Sequence, residues 1–338
     1  MTNNSELKKE IICDLCKSYD HDRIFSNHDR LFPKIKGNYN LYRCKNCGLI
    51  FLEHTSHEEL FKHYPEDDYS VYNDSGDIGD LRKGFILAEN LYQYSYWKKN
   101  ESIAFKLLNI LFLPCRSFFR TSIILEGGNY LDVGCGMGYF PLVMKNMGMK
   151  AYGVEPGEFN RKLSDEYNLK IFKGTLDEVE YENNFFDVIT LNHVMEHVEK
   201  PMELMNELNR ILKSDGYLII GVPVSDSLAF KIFGKYWSNL DTPRHLFTFS
   251  TDNLRLYAKK SGFDVERIRY NSRPDGQFLN SLKYLFEELT SKKYNSLIVY
   301  NIFLNLILLP LSSLLNLLKL GDQCEIILTK KKNWENCK

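Results

Sequence analysis

Residues 129–140 read NYLDVGCGMGYF and decide the fold of this chain. The apolar run YLDV ends at three alternating glycines, Gly134, Gly136 and Gly138, and an apolar pattern of helical spacing starts at Tyr139. This order predicts a strand, a tight glycine turn and a helix. Glycine permits backbone conformations closed to other residues, and amides at a helix start face anionic groups. The stretch therefore predicts a ligand-binding loop at the end of a strand.

The spacing of these glycines separates the loop from two better-known glycine loops. The dinucleotide fingerprint has a third glycine three residues after the second. Tyr139 occupies that position here, which disfavours a nicotinamide or flavin site. No Gly-Lys-Ser/Thr follows, so the phosphate loop of NTPases is excluded. An ordinary glycine turn in some α/β domain is the remaining alternative, and the motifs that follow weigh against it.

Strand and helix patterns alternate after the loop. Predicted strands cover 150–156, 169–176, 186–194, 217–224, 263–270 and 324–331, and predicted helices cover 201–216 and 252–262. Such alternation is typical of a doubly wound, mostly parallel sheet, which binds ligands at the carboxyl ends of its strands. Glu155 ends the second strand about 20 residues after the loop, where a carboxylate can accept hydrogen bonds from ribose hydroxyls.

Two Cys-x-x-Cys pairs lie near the start of the chain, Cys13 with Cys16 and Cys44 with Cys47. Each pair can place two thiolates on one side of a turn, and two such turns complete a tetrahedron around Zn²⁺. Gly48 suits the turn after the second pair. The spacing predicts a structural zinc ribbon with no open coordination position, which stabilises a fold rather than catalyses. Four unrelated thiols are the alternative.

Composition and charge narrow the class of protein. The chain has 338 residues, of which 44% are hydrophobic, and 43 Lys and Arg against 44 Asp and Glu give a net charge of −1. The charge balance gives no basic field for nucleic acid, so a nucleic-acid partner is disfavoured. The start, MTNNSELKKE, does not resemble a signal peptide, and the eight cysteines do not fit a disulfide framework. We therefore expect a cytoplasmic protein.

These motifs together resemble a class I S-adenosylmethionine-dependent methyltransferase. The resemblance runs from about residue 126 to 270 and resumes at 324–331. It rests on LDVGCGMG, the acidic VEP, KGTL before NNFFDVI, LNHVMEHVEKP and LKSDGYLIIGVPV, in that order. The front end and the segment from Phe233 to PRHLFTFS are similar to bacterial members with an amino-terminal zinc ribbon, several of which are associated with sugar or cell-surface glycan modification.

The resemblance implies an α/β architecture, a doubly wound, seven-stranded, Rossmann-like sheet. We expect a zinc ribbon at 1–60, a helical linker or lid at 61–125, and the S-adenosylmethionine-binding domain at 126–338. An apolar helical insertion at 271–323 precedes the last strand.

The resemblance also implies a role for each residue of the cofactor site. Asp132 would position the loop and the methionine part of S-adenosylmethionine, Glu155 would hold its ribose diol, and Asn192 would lie near its methyl. Backbone amides would contact its amino-acid end, at Gly134, Cys135, Gly136 and Gly138. Thr175 and Leu176 would border the adenine, largely by backbone contacts, and many relatives have an acidic residue at the position of Thr175.

Methyl transfer requires mainly the alignment of nucleophile, methyl and sulfur. A hydroxyl acceptor is helped by a general base, and His193, His197 and His245 are the candidates. Arg244 would bind an anionic part of the acceptor, because a guanidinium suits phosphate or carboxylate. A loop anchored against the sheet is the alternative for the segment that contains Arg244 and His245.

The segment His193-x-x-Glu196-His197 has three further interpretations. The segment matches the sequence pattern of inverted zinc proteases. A protease site is disfavoured, because the segment starts at a strand end within a complete series of cofactor-binding motifs. The segment could form a divalent-cation site that orients a diol, with Glu196 and either His193 or His197. It could also only cap and pack beside the cofactor. His193 and His197 would share a face if a helix began by residue 193.

Residues 297–320 are nearly all apolar. In one helix their polar residues would fall within an arc of about 60°: Asn301, Asn305, Ser312, Asn316 and Lys319. The length would permit a membrane span, but the last strand follows directly, so an interfacial or protein-buried hairpin is predicted. The segments LLNILFLP (107–114) and FLNLILLP (303–310) echo each other. We expect peripheral contact with the inner membrane face; a homodimer interface or plain core is the alternative.

Three functions remain open from the sequence. The leading interpretation is a methyltransferase that acts on a small molecule or on a lipid-linked or nucleotide-linked sugar. Methylation of oxygen is favoured over methylation of carbon or nitrogen. The second is an RNA methyltransferase, since some of those also carry a zinc ribbon, and the charge balance argues against it. The third is a non-catalytic module that binds the cofactor, against which the intact Asp132, glycines and Glu155 argue.

Overall fold

The computed structural model describes residues 11–53, 60, 62–64, 120–157, 161–273, 278–292 and 302–331. The described part contains two sheets. The smaller consists of β1 (His21–Asn27), β2 (Tyr39–Cys44), β3 (Ile50–Leu52) and β9 (Phe247–Thr248). The larger has seven strands: β4 (Asn129–Val133), β5 (Lys150–Glu155), β6 (Lys170–Lys173), β7 (Phe186–Asn192), β8 (Leu212–Pro223), β10 (Phe263–Tyr270) and β11 (Gln323–Lys330).

The large sheet has the order β6-β5-β4-β7-β8-β11-β10. Strands β4 to β8 run parallel to one another, and β11 is antiparallel to both β8 and β10. This confirms the predicted seven-stranded, mostly parallel sheet. Strand β4 is the third of the seven and lies between β5 and β7, so the glycine loop leaves the interior of the sheet and not its edge.

Helices and 3₁₀ turns connect the strands. The helices are α1 (Tyr139–Asn146), α2 (Arg161–Glu166), α3 (Pro201–Ile211), α4 (Leu228–Phe233), α5 (Thr251–Lys260), α6 (Asn280–Thr290) and α7 (Ile302–Leu317). The 3₁₀ turns are Leu176–Glu178, Met195–His197, Gly234–Tyr236 and Ser238–Leu240. The predicted helix 201–216 is too long, because residues from Leu212 onward join β8. Leu212 pairs with Phe186 of β7, and both are fully buried.

The inner strands of the large sheet are apolar because both of their faces are covered, whereas the edge strands β6 and β10 are partly exposed. On one face Leu131 and Val133 pack with Ile220 in the main core. On the other face Tyr130 packs with Phe140 of α1. Burial on both sides explains why a continuous run such as YLDV, rather than an alternating pattern, marked the strand.

The amino-terminal segment (residues 11–53) packs on the larger domain, which contains the seven-stranded sheet. Its strand β3 pairs with β9, and its residues share the main core with α5. The Tyr257 hydroxyl donates to Asp14 at 2.8 Å, and the Lys260 ammonium donates to the Leu15 carbonyl at 2.7 Å. The segment therefore shares its packing with the larger domain. The domain boundaries at 60 and 125 stay predictions, since most of residues 54–119 lie outside the described part.

Helix α7 turns its polar side inward. Asn316 accepts from the Ser272 amide at 3.1 Å and donates to the Ser272 carbonyl at 3.0 Å, and Ser312 is also buried. Apolar side chains on its opposite side are 44% to 79% exposed: Ile307, Leu311, Leu314 and Leu317. The described helices include none long and apolar enough to cross a membrane. Segment 107–114 lies outside the described residues, and contact of the insertion with a membrane or a second copy stays a prediction.

Candidate functional site

The candidate cofactor site lies at the carboxyl ends of three neighbouring strands, β4, β5 and β7. In the sheet, Val133 at the end of β4 is paired with Val154 of β5 on one side and Leu191 of β7 on the other. The segments that leave these three strands therefore start side by side at their carboxyl ends. They are the glycine loop, Glu155, and the pair Asn192 and His193, so the topology places these sequence-predicted residues at one edge of the sheet.

The glycine loop has a shape that requires glycine. Its three glycines have φ values of +67° (Gly134), +54° (Gly136) and +82° (Gly138), in the left-handed region. A Cβ atom at Gly134 would lie 2.3 Å from Cγ2 of Val194, and one at Gly138 would lie 2.7 Å from Cδ1 of Ile171. Both the backbone conformation and the close neighbours exclude larger residues.

The amides of the loop form hydrogen bonds within the chain. Those of Gly134 and Cys135 donate to the Val154 carbonyl at 2.8 and 3.1 Å, and that of Gly138 donates to the Cys135 carbonyl at 3.1 Å. The Gly136 amide donates to Glu155 at 2.7 Å. These bonds hold the shape of the loop, and the contact of its backbone with the cofactor stays a prediction. Burial raises the pKa of the Cys135 thiol well above its ordinary range.

Glu155 fits the role of a diol acceptor. Its side chain is buried, and its two oxygens accept one hydrogen bond each from described residues, from the amides of Gly136 (2.7 Å) and Gly157 (2.9 Å). A carboxylate oxygen has two lone pairs, so each oxygen retains one for a hydroxyl. Burial raises the pKa of Glu155 above its ordinary value, and the two amides offset part of that rise.

Two residues without a predicted role, Thr190 and Arg120, hold Asp132. It is buried at the end of β4 and accepts from the Thr190 hydroxyl at 2.5 Å and from the Arg120 guanidinium at 3.1 Å. The guanidinium also lies 3.7 Å from the ring centroid of Phe140. Burial raises the pKa of Asp132, and Arg120 offsets part of this rise. Asp132 therefore fixes the end of β4, from which the glycine loop starts.

Thr175 and Leu176 lie directly after β6, next to Glu155 in the sheet. The Gly174 amide donates to the Glu155 carbonyl at 3.0 Å, which joins the two strand ends. Leu176 is buried, and the Thr175 amide donates to the Glu178 carboxylate at 2.6 Å. The backbone at 175–176 therefore borders the same edge as Glu155, where the adenine was expected.

The chain after β7 forms no α-helix at His193. This residue has a φ of +55°, and its amide donates to the Gly221 carbonyl at 2.9 Å. Only a 3₁₀ turn, Met195–His197, follows. The helical face that we considered for His193 and His197 is therefore absent. Asn192 is half-buried and packs against Gly221, where a Cβ would lie 2.6 Å from its Oδ1.

His193 forms a pair with Glu196. Its Nδ1 lies 3.0 Å from Oε1 of Glu196, and its Nε2 lies 2.9 Å from the amide nitrogen of Gln323. Because an amide nitrogen only donates, Nε2 carries the lone pair and Nδ1 carries the proton. Burial lowers the pKa of His193, but the hydrogen bond to Glu196 outweighs it and the net shift is upward. Nothing local in the sequence indicated the contact with Gln323.

The other two candidate bases lie together beside Glu196. The rings of His197 and His245 are 4.6 Å apart, and Nε2 of His245 lies 4.0 Å from Oε1 of Glu196. Burial, followed by the proximity of His245, lowers the pKa of His197 to about 4. Glu196 is fully buried, and His193 holds its pKa at about 2 against the effect of burial. All three predicted histidines thus surround one carboxylate.

The guanidinium of Arg244 donates all of its hydrogen bonds to other residues of this chain. Two of its five N–H groups donate to Asp29, two donate to Asp241, and one donates to the His63 carbonyl, at 2.6 to 3.3 Å. A guanidinium has five donors, so none remains for an anionic acceptor. Arg244 is also buried. The expected role in acceptor binding does not fit this geometry, and the alternative of an anchored loop does.

The four cysteines of the two pairs come together. Sγ of Cys13 lies 3.5 Å from that of Cys47, and Sγ of Cys16 lies 3.4 Å from that of Cys44. All four sulfur atoms lie within 4.8 Å of one another. Sulfurs at about 2.3 Å from a tetrahedral Zn²⁺ would be about 3.8 Å apart, so this arrangement fits the ion.

Each cysteine pair ends in a left-handed residue. Lys17 follows the first pair with a φ of +58°, and Gly48 follows the second with a φ of +73°. The two turns therefore have the same form, although only one of them has the expected glycine.

The seven-stranded sheet, its glycine loop and the buried glutamate at the next strand end define a class I S-adenosylmethionine-dependent methyltransferase. Residues 98–268, just over half of the chain, match a family model described as a methyltransferase domain, and the chain belongs to that family.

Curated relatives resemble only part of the chain. A ubiquinone biosynthesis O-methyltransferase of Maricaulis maris is 32% identical over 166 residues, which cover 44% of this chain and 65% of that protein. One of Actinobacillus pleuropneumoniae is 35% identical over 105 residues, which cover 28% and 45%. The chain thus spans about half to two thirds of the length of the curated relatives it matches.

Among solved structures, a S-adenosylmethionine-dependent methyltransferase from Thermotoga maritima, described as a possible histamine N-methyltransferase, is 20% identical with a TM-score of 0.44. The match covers 73% of this chain and 99% of that one.

Proposed function

We propose that this methyltransferase transfers a methyl group to a hydroxyl of a small molecule or of a free, nucleotide-linked or lipid-linked sugar. The proposal of a hydroxyl acceptor rests on the pair of His193 and Glu196, which lies just after β7 and beside the glycine loop. A hydroxyl must lose its proton on methylation, and an imidazole oriented by a carboxylate is a suitable base. The O-methyltransferase names of the partial relatives agree with this reading.

The chain's own residues provide binding and proton transfer. S-adenosylmethionine, when bound, supplies an electrophilic methyl group on a sulfonium. Glu155 would accept hydrogen bonds from its ribose diol. His193 would exchange the amide of Gln323 for the acceptor hydroxyl and take that proton on Nε2. Glu196, bonded to Nδ1 of His193, would then stabilise the imidazolium.

The amino-terminal cysteines are proposed to bind Zn²⁺ in a structural role. Four thiolates fill the tetrahedral positions of the ion and leave none for an acceptor. Their sulfurs are already gathered within 4.8 Å, and Cys13 and Cys44 lie in the core shared with α5. The ion would therefore stabilise the surface on which the methyltransferase domain packs.

A labelled-methyl assay tests the proposed function. The protein is incubated with S-adenosylmethionine labelled on its methyl group and with phenols, nucleotide sugars, polyprenyl-linked sugars and RNA in parallel. We expect label on a hydroxyl of one small molecule. The His193→Asn variant should reduce kcat by about 10²- to 10⁴-fold, with an unchanged Kd for S-adenosylmethionine.

His28→Asn is the matched control, because His28 is exposed in the amino-terminal segment. It should retain full kcat. Label on RNA, or on a nitrogen or carbon atom of the acceptor, would contradict the proposal, and so would full turnover in His193→Asn.

A further inference from the structure

Three acceptor atoms converge between the 3₁₀ turn Met195–His197 and the loop before β9. Glu196, His197 and His245 each offer one ligand atom, and these atoms lie within 4.8 Å of one another. Glu196 is fully buried, His245 is buried, and His197 is half-buried. The loop is attached to the turn, because the Leu246 amide donates to the Glu196 carbonyl at 2.8 Å. The three side chains thus belong to one fixed cluster.

Backbone carbonyls set the tautomer of both imidazoles. Nδ1 of His245 lies 2.8 Å from the Asn239 carbonyl, and Nδ1 of His197 lies 3.1 Å from the Arg244 carbonyl. A carbonyl only accepts, so both Nδ1 atoms carry the proton and both Nε2 atoms carry a lone pair. A carbonyl that fixes Nδ1–H and leaves Nε2 free is the usual second contact of a metal-binding histidine. The Tyr64 hydroxyl, 3.1 Å from Nδ1 of His197, can accept from the same proton.

One carboxylate oxygen of Glu196 is free to bind a ligand. Oε1 of Glu196 is bonded to His193, whereas the buried Oε2 has no hydrogen-bond partner within the described ranges. No described residue donates to Nε2 of His197 or His245 either. A buried carboxylate that has one unbonded oxygen, and whose Oε1 lies 4.0 Å from Nε2 of His245, is unfavourable unless a cation or proton lies nearby. If the three side chains only packed against each other, Oε2 of Glu196 and the Nε2 atoms of both histidines would have no donor among the described residues.

The donor set selects the kind of ion. Two imidazoles and one carboxylate suit Zn²⁺ and related divalent transition metals, whereas Mg²⁺ and Ca²⁺ prefer oxygen ligands only. Donors at about 2.0–2.1 Å from a tetrahedral ion lie about 3.3 Å apart, so side-chain shifts of about 1.5 Å or less would close the site. Three protein ligands leave at least one coordination position open, as in catalytic rather than structural zinc sites.

We propose that Glu196, His197 and His245 bind a divalent transition-metal ion, separate from the ion of the four cysteines. Because His193 shares Glu196 with this cluster, the ion would hold an oxygen of the acceptor near the proposed base and favour its deprotonation. This second step rests on the proposed function, whereas the binding of the metal does not.

Cobalt titration distinguishes the two sites, because Co²⁺ replaces Zn²⁺ and reports its ligands in the absorption spectrum. The full-length protein is stripped with a chelator and titrated with Co²⁺ alone. Thiolate ligands give an intense sulfur-to-metal charge-transfer band, which nitrogen and oxygen ligands do not. We expect one molar equivalent with the charge-transfer band and a second equivalent that shows only ligand-field bands.

Variants assign the second equivalent. Glu196→Gln keeps the shape of the side chain, and His245→Asn keeps a polar group; both should lose the second equivalent and retain the charge-transfer band. Cys44→Ser should show the reverse, and His28→Asn should retain both. The proposal is overturned if the wild-type protein saturates after the thiolate equivalent, a result that needs no variant to fold, or if both variants retain the second equivalent.

Methyl transfer is measured on the same samples. If the second equivalent binds and O-methylation fails, the metal site stands and the proposed function falls. If O-methylation occurs and no second equivalent binds, the metal site falls and the proposed function stands.

Discussion

The Asp29 carboxylate lies 2.8 Å from Nη1 of Arg244, and neither side chain is exposed to solvent. Asp29 belongs to the amino-terminal segment, and Arg244 belongs to the loop that also carries His245. The contact continues inward, since Nδ1 of His63 lies 2.6 Å from Asp29 and the Tyr39 hydroxyl lies 2.7 Å from Nε2 of His63. A buried polar network therefore joins the amino-terminal segment to the loop at the candidate active site.

Replacing Arg244 by Met should strongly destabilise the protein. The substitution leaves Asp29 buried without its cation, which typically costs about 3–5 kcal/mol. Urea unfolding measures the change. Lys200→Met is the control, because Lys200 and Glu203 form an ion pair in which both side chains are mostly exposed, and such pairs contribute about 0–1 kcal/mol. Equal effects of the two substitutions would contradict the structural role given to Arg244.

Stability should depend on pH through Asp29. Burial raises the pKa of Asp29, but hydrogen bonding and the charge of Arg244 outweigh it and lower the pKa below its ordinary value of 3.8. The groups that face Asp29 are Arg244 and His63, and Asp241 lies on the other side of Arg244. A depressed pKa stabilises the folded state above the unfolded pKa, and this contribution is lost as the pH falls through the folded pKa.

The measurement compares the wild-type protein with Asp29→Asn by urea unfolding between about pH 7 and pH 3. The wild-type advantage should be constant down to about pH 4 and shrink below it. An advantage that stays constant or grows in acid would show that ionisation of Asp29 does not stabilise the fold.

The sequence predicted the parts of the fold that depend on local patterns. Strands buried on both faces are continuous apolar runs, so β4, β7 and the second half of β8 could be placed from their apolar composition. Glycines with positive φ, and Glu155 at a strand end, marked one edge of the sheet. Helix α3 was extended too far, because the polar residues 213–215 look alike in a helix end and in the exposed start of a strand.

Contacts between distant residues could not be predicted in this way. Arg244 meets Asp29 across 215 positions, and His193 meets Gln323 across 130. Only the assembled sheet shows that Arg244 has no donor left for an acceptor. The polar stripe of α7 was found in the sequence, but its inward direction follows from the pairing of Asn316 with Ser272.

Removing metal from the four cysteines should weaken the whole protein. Cys13 and Cys44 share the main core with α5. Loss of the proposed Zn²⁺ should therefore destabilise both the amino-terminal segment and the methyltransferase domain. Cys44→Ser should lower the free energy of unfolding by about 4 kcal/mol or more and remove one zinc ion from the metal content. Cys324→Ala, which alters a buried cysteine outside the cluster, should retain that ion. Equal zinc contents in the two variants would argue against the cysteine site.

Replacing Gly134 by Ala should abolish the binding of S-adenosylmethionine. The residue has a φ of +67°, and a Cβ there would lie 2.3 Å from Cγ2 of Val194, so the loop must move away from its position beside Glu155. Calorimetry should show no heat of binding at cofactor concentrations that saturate the wild-type protein. Gly127→Ala separates strain from the loss of the site, because Gly127 has a φ of +74° and a Cβ there would meet nothing within 4 Å. This control should lose some stability, as a residue other than glycine does in the left-handed region, and should bind the cofactor normally. Normal binding by Gly134→Ala would mean that the glycine loop is not the cofactor site.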